Sequence, residues 1–160
     1  MFAAMRRDVP DFVKQLEDED ETTHFITVDL EIGSRGKLDA IVAVLGPRMA
    51  EMYRGKIGTL NHANYEGDGG ATIDKTIENL LRMLRLLTPA AKREWRAAKV
   101  RDFNIGIQAG MKPNSLELTV SDRTMQEVSR LGGRLVITIY AYGFGRTATL
   151  GLGKPAPQLG

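Results

Sequence analysis

From His24 to Ile32 the chain alternates. Ile26, Val28, Leu30 and Ile32 share one parity and Phe25, Thr27, Asp29 and Glu31 the other, as in a strand wetted on one side. After Gly33-Ser34-Arg35-Gly36 the period lengthens: Leu38, Ile41, Val42 and Leu45 have helical spacing until Gly46-Pro47 stops them, and Met49, Met52 and Tyr53 suggest one further short helical piece. Residues 55 to 71, polar and glycine-rich, read as a long loop. Ile73, Ile77, Leu80, Leu81, Leu84 and Leu87 form the longest apolar stripe, and Thr88-Pro89 restarts a basic helix to about Lys99 whose Trp95 is a core plug. A second strand follows, with Phe103, Ile105, Ile107 and Ala109 alternating against Asp102, Asn104, Gly106 and Gln108. Beyond a turn at 110–114, Leu116, Leu118 and Val120 alternate as a third strand. Ser121 caps a helix through Met125, Val128 and Leu131, and Leu135, Ile137 and Ile139 make a fourth strand running to Tyr140 and Tyr142. At the two ends, Val9, Phe12, Val13 and Leu16 predict a helix over 9–17, and 147–160 is predicted to be a flexible tail.

The predicted order of strand, helices, strand, strand, helix, strand is that of an α+β, ferredoxin-like βαββαβ fold: a four-stranded antiparallel sheet with helices on one face. An internal echo agrees with its two half-motifs. "LEIGSRGKLDAIVAVLGPR" at 30–48 and "LELTVSDRTMQEVSRLGGR" at 116–134 share Leu-Glu, a valine, Leu-Gly and a final arginine at equal spacing. With 160 residues the chain suits one domain, its core at about 24–143.

Composition removes several classes. At 42% apolar and 26% charged the chain is globular in character, and the absence of cysteine removes disulfides and thiolate chemistry. The start lacks an apolar run after its basic pair, and no later stretch approaches the roughly 20 apolar residues of a membrane span, so the expectation is a cytoplasmic protein without a membrane partner. A net charge of +2 is too mild to indicate nucleic acid. Its distribution is dipolar: Asp8, Asp11, Glu17, Asp18, Glu19, Asp20 and Glu21 crowd one stretch, whereas Arg82, Arg85, Lys92, Arg93, Arg96, Lys99 and Arg101 face Glu94 alone in another.

Motif chemistry is sparse. Gly143-Phe144-Gly145 resembles the glycine-aromatic motif of RNA-binding sheets, but it closes the fourth strand, not a central one, and lacks the basic residue before it. Lys56 has no phosphate-loop glycines before it, and Asn64, Glu66 and Asp68 begin an EF-hand pattern that Lys75 breaks at the twelfth position. His24 and His62 form no local metal motif. Neither catalytic residues, metal nor cofactor is expected. Strand parity instead predicts that the side away from the helices carries Asp29, Glu31, Glu117, Tyr140 and Tyr142, an acidic face with aromatics suited to a basic protein partner and repellent to phosphate. The alternative is a nucleic-acid or anionic-ligand binder using the basic helix 82–101.

The succession "IENLLRMLRLLTPAAKREW", "FNIGIQAG" and "NSLELTVSDRTMQEVSRLGGRLVITIYAYG" resembles a small bacterial domain-of-unknown-function family, number four-two-seven-nine, with "LEIGSRGKLDAIVAVLG" as its opening strand and helix. The resemblance covers residues 24 to 143. It implies a small bacterial cytosolic α+β protein of the immunity type, a non-enzymatic partner that neutralises a toxin; the acidic face would hold a basic toxin domain.

Overall fold

A computed structural model of the protein describes residues 22–68 and 70–142. The expected helix at 9–17, the Gly143-Phe144-Gly145 motif and the tail at 147–160 lie outside the described residues. The described chain divides into two compact units, one holding residues 22–24, 108–116 and 140–142 and the other 25–107 and 117–139.

The sheet is five-stranded, in the order β2-β3-β1-β4-β5, with β1 His24–Ser34, β2 Glu51–Ile57, β3 Leu60–Tyr65, β4 Val100–Gln108 and β5 Arg134–Tyr140. The helices are α1 Asp39–Leu45, α2 Ile73–Arg85, α3 Pro89–Ala97 and α4 Asp122–Arg130. The α+β class holds. The four-stranded antiparallel ferredoxin-like sheet does not, because β4 and β5 form a parallel pair. Their side chains advance together, Asp102 against Arg134 and Asn104 against Thr138.

Two misread segments account for the difference. Residues 115–120, expected as the third strand, carry no ladder, and Leu116 and Leu118 are 37% and 36% exposed. They belong to the connection that a parallel β4–β5 pair requires. That connection is pinned where Ser121 N–H donates to Asp74 Oδ1 at 3.1 Å. The supposed loop at 55–71 and helical piece at 49–53 hold the β2–β3 hairpin. Ile57 pairs with Leu60 across a two-residue turn in which Gly58 takes φ +58°, a left-handed conformation glycine adopts at least cost. The bulge between Glu51 and Tyr53 obscures the alternation of β2 further.

In the second unit, Val28, Leu30 and Ile32 of β1, Ala63 and Tyr65 of β3, and Phe103 and Ile105 of β4 share one sheet face and are buried. Above them lie Ile41 and Leu45 of α1, Ile77, Leu80, Leu81 and Leu84 of α2, Ala91 and Trp95 of α3 and Val128 of α4, in one core. Caps set the helices where the sequence places them. Thr72 Oγ1 accepts from Lys75 N–H, Thr88 Oγ1 from Ala91 N–H and Ser121 Oγ from Thr124 N–H. Trp95 is the expected plug, its indole N–H donating to Leu131 O at 2.9 Å. Ile137 and Ile139, expected beneath the helices, are 63% and 65% exposed on β5, an edge strand of the sheet.

The first unit is tied by backbone groups. Thr23 N–H donates to Lys112 O at 2.6 Å, and Gly110 N–H donates to Thr23 Oγ1 at 2.9 Å. Ala109 N–H donates to Tyr140 O at 2.9 Å.

Candidate binding face

A polar row crosses the sheet face opposite the core in the second unit. Register places Tyr53 of β2 opposite Asn64 of β3, and Asn64 opposite Glu31 of β1. Asn104 Nδ2 of β4 donates to Glu31 Oε1 at 2.8 Å, and Thr138 Oγ1 of β5 donates to Asn104 Oδ1 at 2.7 Å. One transverse row therefore crosses all five strands, and its hydrogen bonds hold the Glu31 carboxylate in place. Beside it, Arg134 grips Asp102 through two bonds of 2.8 Å, so that carboxylate is already neutralised.

Asp29 lies two residues from Glu31 on the same face. Burial pushes its pKa up to about 6, the Gly67 backbone N–H acts the other way, and the Glu66 and Glu31 charges raise it further. Extending the Leu30–Tyr65 register by one pair puts Glu66 opposite Asp29. Asp29 Oδ1 and Asn64 Oδ1 are buried without hydrogen-bond partners. Asp29, Glu31 and Glu66 thus stand together, and among the described residues no lysine or arginine forms an ion pair with any of them.

The raised Asp29 pKa sets the sign of a pH effect. A folded-state value near 6 above the ordinary 3.8 makes a stabilising contribution that is complete below about pH 4 and lost as pH rises through 6. Asp29→Asn removes that loss, because the amide carries no charge at either pH. After discounting for solvent screening, the variant is expected to gain about 1 kcal/mol over wild type at pH 8 and almost nothing at pH 4. Paired urea titrations at the two pH values check it; an equal effect at both would remove the ionised Asp29 as the cause.

Of the other expected contact residues, Glu117 is exposed on the connection before α4 and is not a sheet residue. Tyr140 ends β5 and Tyr142 follows it exposed, both in the first unit. The structure brings together Asp29 and Glu31, and does not add Glu117 to their sheet face. Glu66, Asn64 and Thr138 join them through the hairpin register and the parallel pairing, which periodicity does not reveal. Among the described residues no cluster of three or more His, Cys, Asp or Glu is placed to hold a metal, and no helix is long and apolar enough to cross a membrane.

The basic run is also divided. Arg85 Nη2 donates to Glu127 Oε2 at 2.5 Å on α4, and Arg82 lies on a different helix from Lys92, Arg93 and Arg96, which are exposed on α3.

These features define an α+β protein with a five-stranded mixed sheet, helices packed on one face and an acidic cluster on the other. No protein-family model matches the chain, and neither a curated protein nor a solved structure shows significant similarity to it.

Proposed function

We propose that this protein is a non-enzymatic protein-binding domain that docks a basic partner surface on the open sheet face. Its role is that of a toxin-neutralising immunity protein in the bacterial cytoplasm, of the kind the family resemblance implies. The observation that carries the reading is the grouping of Asp29, Glu31 and Glu66 on the sheet face opposite the core, with no lysine or arginine paired to any of them among the described residues. Such a role needs charge and shape complementarity over about 800 Å² per partner and no reacting group. Glu31 is its best anchor, since Asn104 fixes the carboxylate before a partner arrives.

Affinity purification from the native host supplies the partner, and titration of the purified pair supplies the test. Glu31→Lys is expected to weaken binding about hundredfold, mainly by placing like charges together, with the circular dichroism spectrum unchanged. Equal affinity of wild type and variant would take the docking surface away from this face.

A second reading rests on α3. Glu94 accepts from Ala40 and Ile41 N–H and is turned toward α1, which leaves Lys92, Arg93 and Arg96 uncompensated on their helix. An anionic partner there predicts retention on a polyanion column that falls steeply with salt. Passage without retention at low salt discards it.

A further inference from the structure

The second unit holds a cleft of about 590 Å³ that shares Glu66, but neither Asp29 nor Glu31, with the proposed docking surface. One turn of α2 forms one wall with Asn79, Arg82 and Met83; the segment at 48–50 forms another with Arg48 and Met49; the exit from β3 closes the rim with Glu66 and Asp68. This volume is in the range of small-molecule sites. Met49 and Met83 are half-buried against the core, and their flexible thioethers adapt to an apolar body of variable shape.

The charges decide the ligand. Arg48 spends one N–H on Val44 O at 2.6 Å, whereas Arg82, Asn79 and the Glu66 and Asp68 carboxylates have no hydrogen-bond or ion-pair partner among the described residues. A simple dianion is repelled by the two carboxylates, and a simple cation by the two guanidinium groups. A molecule carrying one charge of each sign satisfies both sets, and the methionines between them require that it also be apolar. Gly67 fixes the acidic rim: its carbonyl accepts from Thr27 Oγ1 at 3.3 Å, and its Cα packs directly on the β1 backbone.

We propose that this cleft binds a zwitterionic ligand with an apolar body, of the dipeptide class, its ammonium on Glu66 and Asp68, its carboxylate on Arg82 and the remaining N–H groups of Arg48, and its side chains on Met49 and Met83. Leucyl-leucine, its N-acetyl form and its C-terminal amide are the probes, titrated calorimetrically into the full chain. The free dipeptide is expected to bind saturably in the millimolar range or tighter, and each capped form about tenfold or more weakly, because each loses one charge-assisted contact. Arg82→Met, at an exposed position, is expected to weaken the free dipeptide by a similar factor with the melting temperature unchanged. Capped and free forms binding alike, Arg82→Met binding like wild type, or no saturable binding by any probe would each overturn the proposal. Glu31→Lys lies outside the cleft and is expected to bind the dipeptide as wild type does, which keeps this test separate from that of the sheet face.

Discussion

Gly67→Ala is expected to lower the free energy of unfolding by about 3 kcal/mol. A Cβ built on Gly67 falls 2.1 Å from Val28 O and 2.7 Å from Thr76 Cγ2. The side chain of Thr76 has little room to turn away, since its hydroxyl donates to Thr72 O at 3.0 Å. The Val28 carbonyl has less, because it belongs to β1, which is flanked by strands on both sides and buried at Val28. The segment at 66–68 must therefore lift. Lifting breaks the Thr27–Gly67 bond and withdraws the Gly67 N–H from Asp29, leaving a carboxylate already burdened by burial with one donor fewer. Overpacking against backbone costs about 1–3 kcal/mol, and losing a hydrogen bond adds about 1. Gly58→Ala is the matched control. Gly58 has positive φ but nothing within 4 Å of its Cβ position, so only left-handed strain opposes the change, about 1 kcal/mol. Urea denaturation reads both as midpoint shifts at constant slope. If Gly67→Ala proves no worse than Gly58→Ala, close approach to β1 is not what requires glycine there.

The elements that were legible in the sequence are those whose signal is local. The alternation in β1 and β4 and the stripe of α2 directly report burial on one side, and Thr88 and Ser121 each bind a backbone N–H three residues on. Parity alone put Asp29 and Glu31 on the face away from Leu30 and Ile32, and that is where they stand. What was illegible depends on partners far along the chain. β2 is an edge strand, almost wholly exposed, so no apolar period marks it, and its turn at Gly58-Thr59 lacks the strong asparagine-glycine signal. Leu116 and Leu118 alternate like a strand yet find no neighbour to pair with, since β4 already has β1 and β5 on its two sides. Without the hairpin register Glu66 cannot be set opposite Asp29, and without the parallel pair Thr138 cannot be set beside Asn104. The exposure of Ile137 and Ile139 has the same origin: composition fixes that they are apolar, but only topology decides whether a helix covers them.

Glu94→Ala is expected to cost about 2 kcal/mol and to loosen α1 before any other element. The residue before α1 is Leu38, whose side chain caps nothing. Its task passes to a residue more than fifty positions along the chain: Glu94 of α3 accepts from Ala40 N–H at 3.2 Å and from Ile41 N–H at 2.9 Å, one bond to each carboxylate oxygen. A carboxylate at the amino end of a helix meets both the unsatisfied N–H groups and the positive end of the dipole. Ile41 is fully buried, so its N–H cannot turn to water for a replacement without disturbing the core. Losing a cap costs about 0.5–2 kcal/mol and charged hydrogen bonds are worth about 1.5–3, which together bracket the figure. Glu94→Gln keeps one carbonyl acceptor and loses the charge, so about half the cost is expected. Amide exchange locates the effect: Ala40 and Ile41 should lose protection in Glu94→Ala while Ile77 and Leu80 of α2 keep theirs. The same substitution bears on the basic surface of α3. If Glu94 is committed to α1, its removal leaves the outward field of Lys92, Arg93 and Arg96 nearly unchanged, and retention on a polyanion column should not rise. A marked rise together with unchanged exchange at Ala40 and Ile41 would mean that Glu94 neutralises its own helix and leaves α1 uncapped.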